Sequence, residues 1–103
     1  MLFIESPIFK EDVDDLLTED EFFKFQLHLT ELPEAGDLIE GTGGLRKVRW
    51  ATGNRGKSGG VRIIYYHLDS AAQIRLLLIY RKGIKDTLSA SDKAVLRKIN
   101  LRW

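Results

Sequence analysis

Leu45-Arg46-Lys47-Val48-Arg49-Trp50 and Gly60-Val61-Arg62-Ile63-Ile64-Tyr65-Tyr66 are the stretches on which the fold turns. In the first, Leu45, Lys47 and Arg49 alternate with Arg46, Val48 and Trp50; in the second, Val61, Ile63 and Tyr65 alternate with Arg62, Ile64 and Tyr66. A period of two is that of a strand, whose successive side chains point to opposite faces. Thr52-Gly53-Asn54-Arg55-Gly56-Lys57-Ser58-Gly59-Gly60 lies between them, a glycine-rich connection suited to an antiparallel hairpin. A third strand over 73–80 follows Asp69-Ser70 and completes a meander. Its run Ile74, Leu76, Leu77, Leu78, Ile79 is nearly continuous, as expected of a strand covered on both sides or central in a small sheet.

Working outward, the period changes to that of a helix. Leu2-Phe3-Ile4-Glu5 reads as a short first strand, stopped by Ser6-Pro7, a helix cap followed by a proline at the first helical position. Phe9, Val13, Leu16 and Leu17 then fall at helical spacing, with acids in the gaps. Thr18-Glu19-Asp20-Glu21 has the form of a capping box, and Leu17 and Phe22 stand where a hydrophobic staple would clamp a second helix. Phe22, Phe25, Leu29 and Leu32 trace its buried stripe, broadened by Phe23 and Leu27, and Pro33 closes the segment. At the other end, Ser89-x-x-Asp92 caps a last helix with Val95, Leu96, Ile99 and Trp103 at helical spacing. The pattern predicts one α+β domain over residues 1–103, in the order β-α-α-β-β-β-α, with a small, twisted, mainly antiparallel sheet.

The chain has 103 residues and no cysteine, so a single hydrophobic core is expected, without disulfides or thiolate metal sites. No apolar run reaches membrane-spanning length and Met1-Leu2-Phe3-Ile4-Glu5 lacks a basic leader, so a cytoplasmic location without membrane contact is expected. The net charge of +1 hides an asymmetry. Up to Glu40 the only bases are Lys10 and Lys24 against twelve acids; beyond it the only acids are Asp69, Asp86 and Asp92 against fourteen Lys and Arg. Such a dipolar chain is expected to present one surface to a polyanion and another that repels it.

Several chemistries lack their residues. His28 and His67 have no partner spacing for zinc, and no metal or other cofactor is expected. Gly56-Lys57-Ser58 resembles the end of a phosphate-binding P-loop, but Ala51 stands five positions earlier and a strand follows where a helix is needed. The basic block remains: Arg46, Lys47, Arg49, Arg55, Lys57 and Arg62, with no acid between Glu40 and Asp69, then Arg75, Arg81, Lys82 and Lys85. Alternation puts Lys47 with Arg49 on one face, and hairpin pairing brings Arg62 beside one of them. Like charges opposed on a sheet are destabilising, so the cluster implies a missing anion. Trp50, Tyr65, Tyr66 and Tyr80 are interleaved with the cations and are candidates to stack bases, which favours single-stranded RNA over duplex DNA.

Pro33-Glu34-Ala35-Gly36-Asp37, Gly41-Thr42-Gly43-Gly44-Leu45-Arg46-Lys47-Val48-Arg49 and Gly56-Lys57-Ser58-Gly59-Gly60-Val61-Arg62-Ile63-Ile64-Tyr65-Tyr66 resemble the HigB-type branch of the RelE superfamily of toxin–antitoxin toxins. The resemblance spans nearly the whole chain. It implies a RelE-like fold, ribosome-dependent cleavage of messenger RNA, and neutralisation by a HigA-type antitoxin with a helix-turn-helix domain, operator DNA being contacted only through that complex. Such toxins cut without metal, the ribose 2′-hydroxyl attacking the adjacent phosphate.

On this resemblance Lys47 is the candidate general base, its pKa lowered by neighbouring cations. Arg49 and Arg62 hold the scissile phosphate, and Lys82 assists the leaving group. Arg46, Arg55, Lys57, Tyr66, Tyr80 and Arg81 are the candidate RNA or ribosome contacts, Arg46 the weaker because it alternates to the other face. The alternative on the same scaffold is a non-catalytic inhibitor or nucleic-acid-binding module of the gyrase-directed ParE kind. Two departures matter. Arg81-Lys82-Gly83 stands where the branch usually carries Gly-Lys-Asn, and Thr87-Leu88-Ser89 offers no late tyrosine to stack a base, so Tyr66, Trp50 or a ribosomal base is expected to substitute.

Overall fold

A computed structural model describes residues 1–52, 60–84 and 87–103. In chain order the elements are β1 (Leu2–Glu5), α1 (Pro7–Leu16), α2 (Glu19–Glu31), β2 (Asp37–Leu38), β3 (Arg46–Trp50), β4 (Val61–Leu68), β5 (Gln73–Arg81) and α3 (Ala90–Leu101), with a short 3₁₀ turn at Asp69–Ala71. The five strands form one mixed sheet in the order β1-β5-β4-β3-β2, antiparallel throughout except for β1 on β5.

The expected elements are present, with one addition. β2 pairs Asp37 with Lys47 and Leu38 with Arg46 at the sheet edge. Two residues carry no periodicity, so only the tertiary structure reveals it. The proposed caps form as written: Ser6 Oγ accepts from the Phe9 N–H, and Thr18 with Glu21, like Ser89 with Asp92, makes a reciprocal capping box. Ser6 also ties helix to sheet, its hydroxyl donating to the Leu77 carbonyl at 2.7 Å.

β5 is covered on both sides. Ile74, Leu76 and Ile79 join Phe9, Val13, Phe25 and Leu29 of the helical hairpin in one core; Leu77 and Tyr80 join Leu45, Ile64, Leu88 and Leu96 in a second, beneath α3. Strict alternation cannot supply Leu77 and Leu78 to one side. A register shift opposite Ile64 and Tyr65 does so, Ile64 pairing with Leu78 and Tyr65 with Leu76.

Three apolar positions expected inside lie outside: Phe23 and Leu27 of α2 and Leu32 at its C-cap are 58%, 49% and 56% exposed. Only Phe25 and Leu29 are fully buried, because the helix meets the sheet along one narrow line. On α3, Val95 is likewise exposed, and the second buried position is Asn100, not an apolar residue. One Arg75 nitrogen, Nη1, donates to both the backbone oxygen and Oδ1 of Asn100 at 3.2 Å, and its guanidinium lies 5.6 Å from the ring centres of Tyr66 and Trp103. Arg75 is therefore a structural cation that holds α3 to β5. Among the described residues no helix is long and apolar enough to cross a membrane.

Tyr65 pins the segment leading to β2. Its hydroxyl donates to the Pro33 carbonyl at 2.8 Å and accepts from the Gly36 N–H at 2.9 Å. The approach is so close that a Cβ at Gly36 would stand 2.9 Å from Tyr65 Cε1 and 3.0 Å from the Lys47 carbonyl oxygen. Burial raises the Tyr65 pKa above its ordinary value of 10.0, the Gly36 hydrogen bond and the Arg46 charge opposing it only in part. The folded state thus keeps a proton that the unfolded chain loses near pH 10, so this contribution to stability is complete below pH 10 and lost as pH rises through the raised folded value. Tyr65→Phe should lower stability at pH 7 by about 1–3 kcal/mol, because Pro33 and Gly36 lose a buried partner. In denaturant titrations from pH 8 to about pH 11, its stability should also fall less steeply than that of the wild type.

Candidate nucleic-acid interface

Residue 45 just before β3, 47 and 49 within it, and 62 and 64 of β4 belong to the sheet face that α3 covers in part. Leu45 and Ile64 are under the helix, in its core. Beyond its reach the same face carries Lys47, Arg49 and Arg62, and Lys82 follows β5 beside the start of β4, its N–H donating to the Gly60 carbonyl. These four cations line one open cleft of about 670 Å³, walled further by Ala35, Asp37, Val48 and Gly83.

The register makes the charge crowding specific. Arg49 is the direct cross-strand partner of Arg62, and Arg62 in turn faces Tyr80. Arg62 makes one long hydrogen bond, Nη1 to the Val61 carbonyl at 3.4 Å. Among the described residues the ion pairs are Lys24 with Asp20 and Arg46 with Glu34, besides a 3.8 Å approach of His67 to Asp69, and none of the four cleft cations takes part. An opposed guanidinium pair with no carboxylate between its members is unfavourable for folding. It is favourable for binding an anion that both can reach at once, since a guanidinium offers a planar fork to phosphate oxygens.

The remaining sequence candidates are dispersed. Arg46 points to the helical-hairpin side, where it donates to the Gly36 carbonyl at 2.8 Å and lies 3.8 Å from the Glu34 carboxylate; it braces the β2 segment. Arg81 is exposed at the end of β5 but does not line the cleft. Arg55 and Lys57 lie outside the described residues.

The aromatic residues require a correction. Tyr80 is only 9% exposed and packs in the core under α3, and Tyr66 is covered by the Arg75 guanidinium. Trp50 is on the opposite face, its ring 5.4 Å from those of Phe25 and His28. Tyr65 is fully buried. Interleaving along a strand put these rings near the cations in sequence, but each packs where the apolar side of its strand faces a helix. None lines the cleft.

Sequence reasoning missed Asp37. It enters the cleft wall through β2, as the cross-strand partner of Lys47, and places a carboxylate among the cations. Its only sequence signal is the position after Gly36 and before the basic strand, which has no meaning until β2 is known. Among the described residues no group of three or more His, Cys, Asp or Glu is placed to hold a metal ion. A comparison of the chain with known protein families finds no matching family.

Because Arg49 and Arg62 oppose each other, neutralising one should help folding. Arg49→Gln should raise stability by about 0.2–1 kcal/mol at low ionic strength, and the gain should shrink in molar salt, where such repulsion is screened. Equal or lower stability of the variant at low salt would mean that the two charges are compensated in the folded protein.

Proposed function

We propose that this protein is a ribosome-dependent messenger-RNA endonuclease, the toxin of a toxin–antitoxin pair, with a RelE-like fold. The observation that carries the reading is that Lys47, Arg49, Arg62 and Lys82, from three separate stretches of the sequence, line one open cleft with no ion pair among the described residues. The motif resemblance to the HigB-type branch supports it, as does the order of helices and strands.

In this reading the Arg49–Arg62 pair grips the scissile phosphate of single-stranded RNA. The ribose 2′-oxygen attacks phosphorus as its proton passes to a base, for which Lys47 is the candidate. The P–O5′ bond breaks, Lys82 donates a proton to the departing oxygen, and the products are a 2′,3′-cyclic phosphate and a 5′-hydroxyl. Lys47 comes from β3 and Lys82 from the end of β5, the strands on either side of the one that carries Arg62, which supports giving them the two separate proton transfers. The paired guanidiniums stabilise the charge that builds on the pentacoordinate phosphorus.

Among the described residues no aromatic side chain lines the cleft to stack a base. The ribosome would supply that platform, which accounts for a dependence on it. The partner that restrains the toxin is an antitoxin of the HigA type, with its own helix-turn-helix domain.

The test is to incubate the purified protein with translating ribosomes and map new RNA 5′ ends by primer extension. Cuts that require the ribosome and fall by at least about a hundredfold in Lys47→Ala/Arg62→Ala are expected, given the usual size of acid–base and charge-stabilising contributions. Intact messenger RNA while translation still stops would sink the nuclease reading and leave a non-catalytic inhibitor.

A further inference from the structure

The basic cleft continues past Lys47. A second recess of about 300 Å³ opens beside it, and Asp37 and Lys47 line both. Leu38, Ile39 and Leu88 give the recess apolar walls, while Glu40 and Lys93 stand at its polar edge. The wall on the β2 side is fixed by hydrogen bonds: Thr42 Oγ1 donates to the Ile39 carbonyl at 2.6 Å and accepts from the Leu45 N–H at 3.2 Å, and the Ile39 N–H donates to the Leu45 carbonyl at 2.9 Å. Leu88 is buried against the α3 core.

A slot with apolar walls and a charged edge, next to a phosphate grip, has the character of a nucleobase site. The edge discriminates among bases. Guanine presents two adjacent donors, N1–H and the N2 amino group, beside the O6 acceptor. A carboxylate accepts from both donors, and an ammonium group donates to O6. Adenine and cytosine put an acceptor nitrogen next to their amino group, which a carboxylate repels. Uracil flanks its one donor with two acceptors.

We propose that this recess is a guanine-binding subsite, in which the Asp37 and Glu40 carboxylates take the N1 and N2 donors, Lys93 takes O6, and Leu38, Ile39 and Leu88 enclose the ring. The inference rests on the RNA-cleaving reading of the cleft and adds the base beside the cut. Glu40 and Lys93 do not line the cleft, so the subsite is separable from the phosphate grip.

The full-length protein, labelled at its leucine and isoleucine methyl groups, can be titrated by NMR with the 3′-monophosphates of guanosine, adenosine, cytidine and uridine in turn. The guanosine nucleotide should move the Leu38, Ile39 and Leu88 methyls and bind about tenfold more tightly than the uridine nucleotide, the scale of one bidentate base contact. Glu40→Gln, at an exposed position, should erase that preference and reduce the share of ribosome-dependent cuts beside guanine. Four nucleotides moving those methyls alike, or unchanged guanine preference in Glu40→Gln, would overturn the subsite and leave the cleft reading standing. No response of those methyls to any nucleotide would likewise overturn the subsite, while loss of the cleft reading would be seen separately, as intact messenger RNA in the ribosome assay.

Discussion

The burial of β5 on both of its faces is the constraint on which the rest of the molecule depends. A strand with apolar side chains on each side must be covered twice, and a chain of this length has three α-helices among its described residues to do it. The helical hairpin takes one side and α3 part of the other. The part of the second face that α3 does not reach is where a sheet can afford charged side chains, and the cations of β3 and β4 occupy it. The cleft thus lies on the part of that face left outside the core beneath α3.

Two polar devices make that arrangement specific. Ser6 joins the start of α1 to the backbone of β5, so the hairpin cannot slide along the sheet without breaking a buried hydrogen bond. Tyr65, rooted in the core on the hairpin side, holds the Pro33–Gly36 turn and so sets where Asp37 meets Lys47. Arg46 braces the same turn from the next strand. The cleft wall is therefore positioned from the opposite face of the sheet, through the backbone of a two-residue strand.

Much of the fold was legible in the sequence, because periodicity and caps are local. Ser6-Pro7, Thr18 to Glu21 and Ser89 to Asp92 act within one helical turn and form as written. The grouping of Lys47, Arg49 and Arg62 followed from alternation and hairpin pairing. What escaped is set by tertiary register. The bulge at Leu77 and Leu78 and the two-residue β2 leave no repeat to read, and with β2 went Asp37. The aromatic residues were misplaced because alternation gives the face of a strand but not what covers that face: Tyr66 and Tyr80 share the cation side and are nonetheless packed under or beside α3. Phe23, Leu27 and Leu32 show the converse, apolar residues at helical spacing with nothing above them.

The opposed guanidiniums of Arg49 and Arg62 have a thermodynamic corollary. A repulsion present in the empty protein and relieved on binding is a form of linkage: any polyanion that bridges the pair stabilises the folded state while it binds. Ligand and fold then support each other, and the protein is at its most fragile when it is unoccupied.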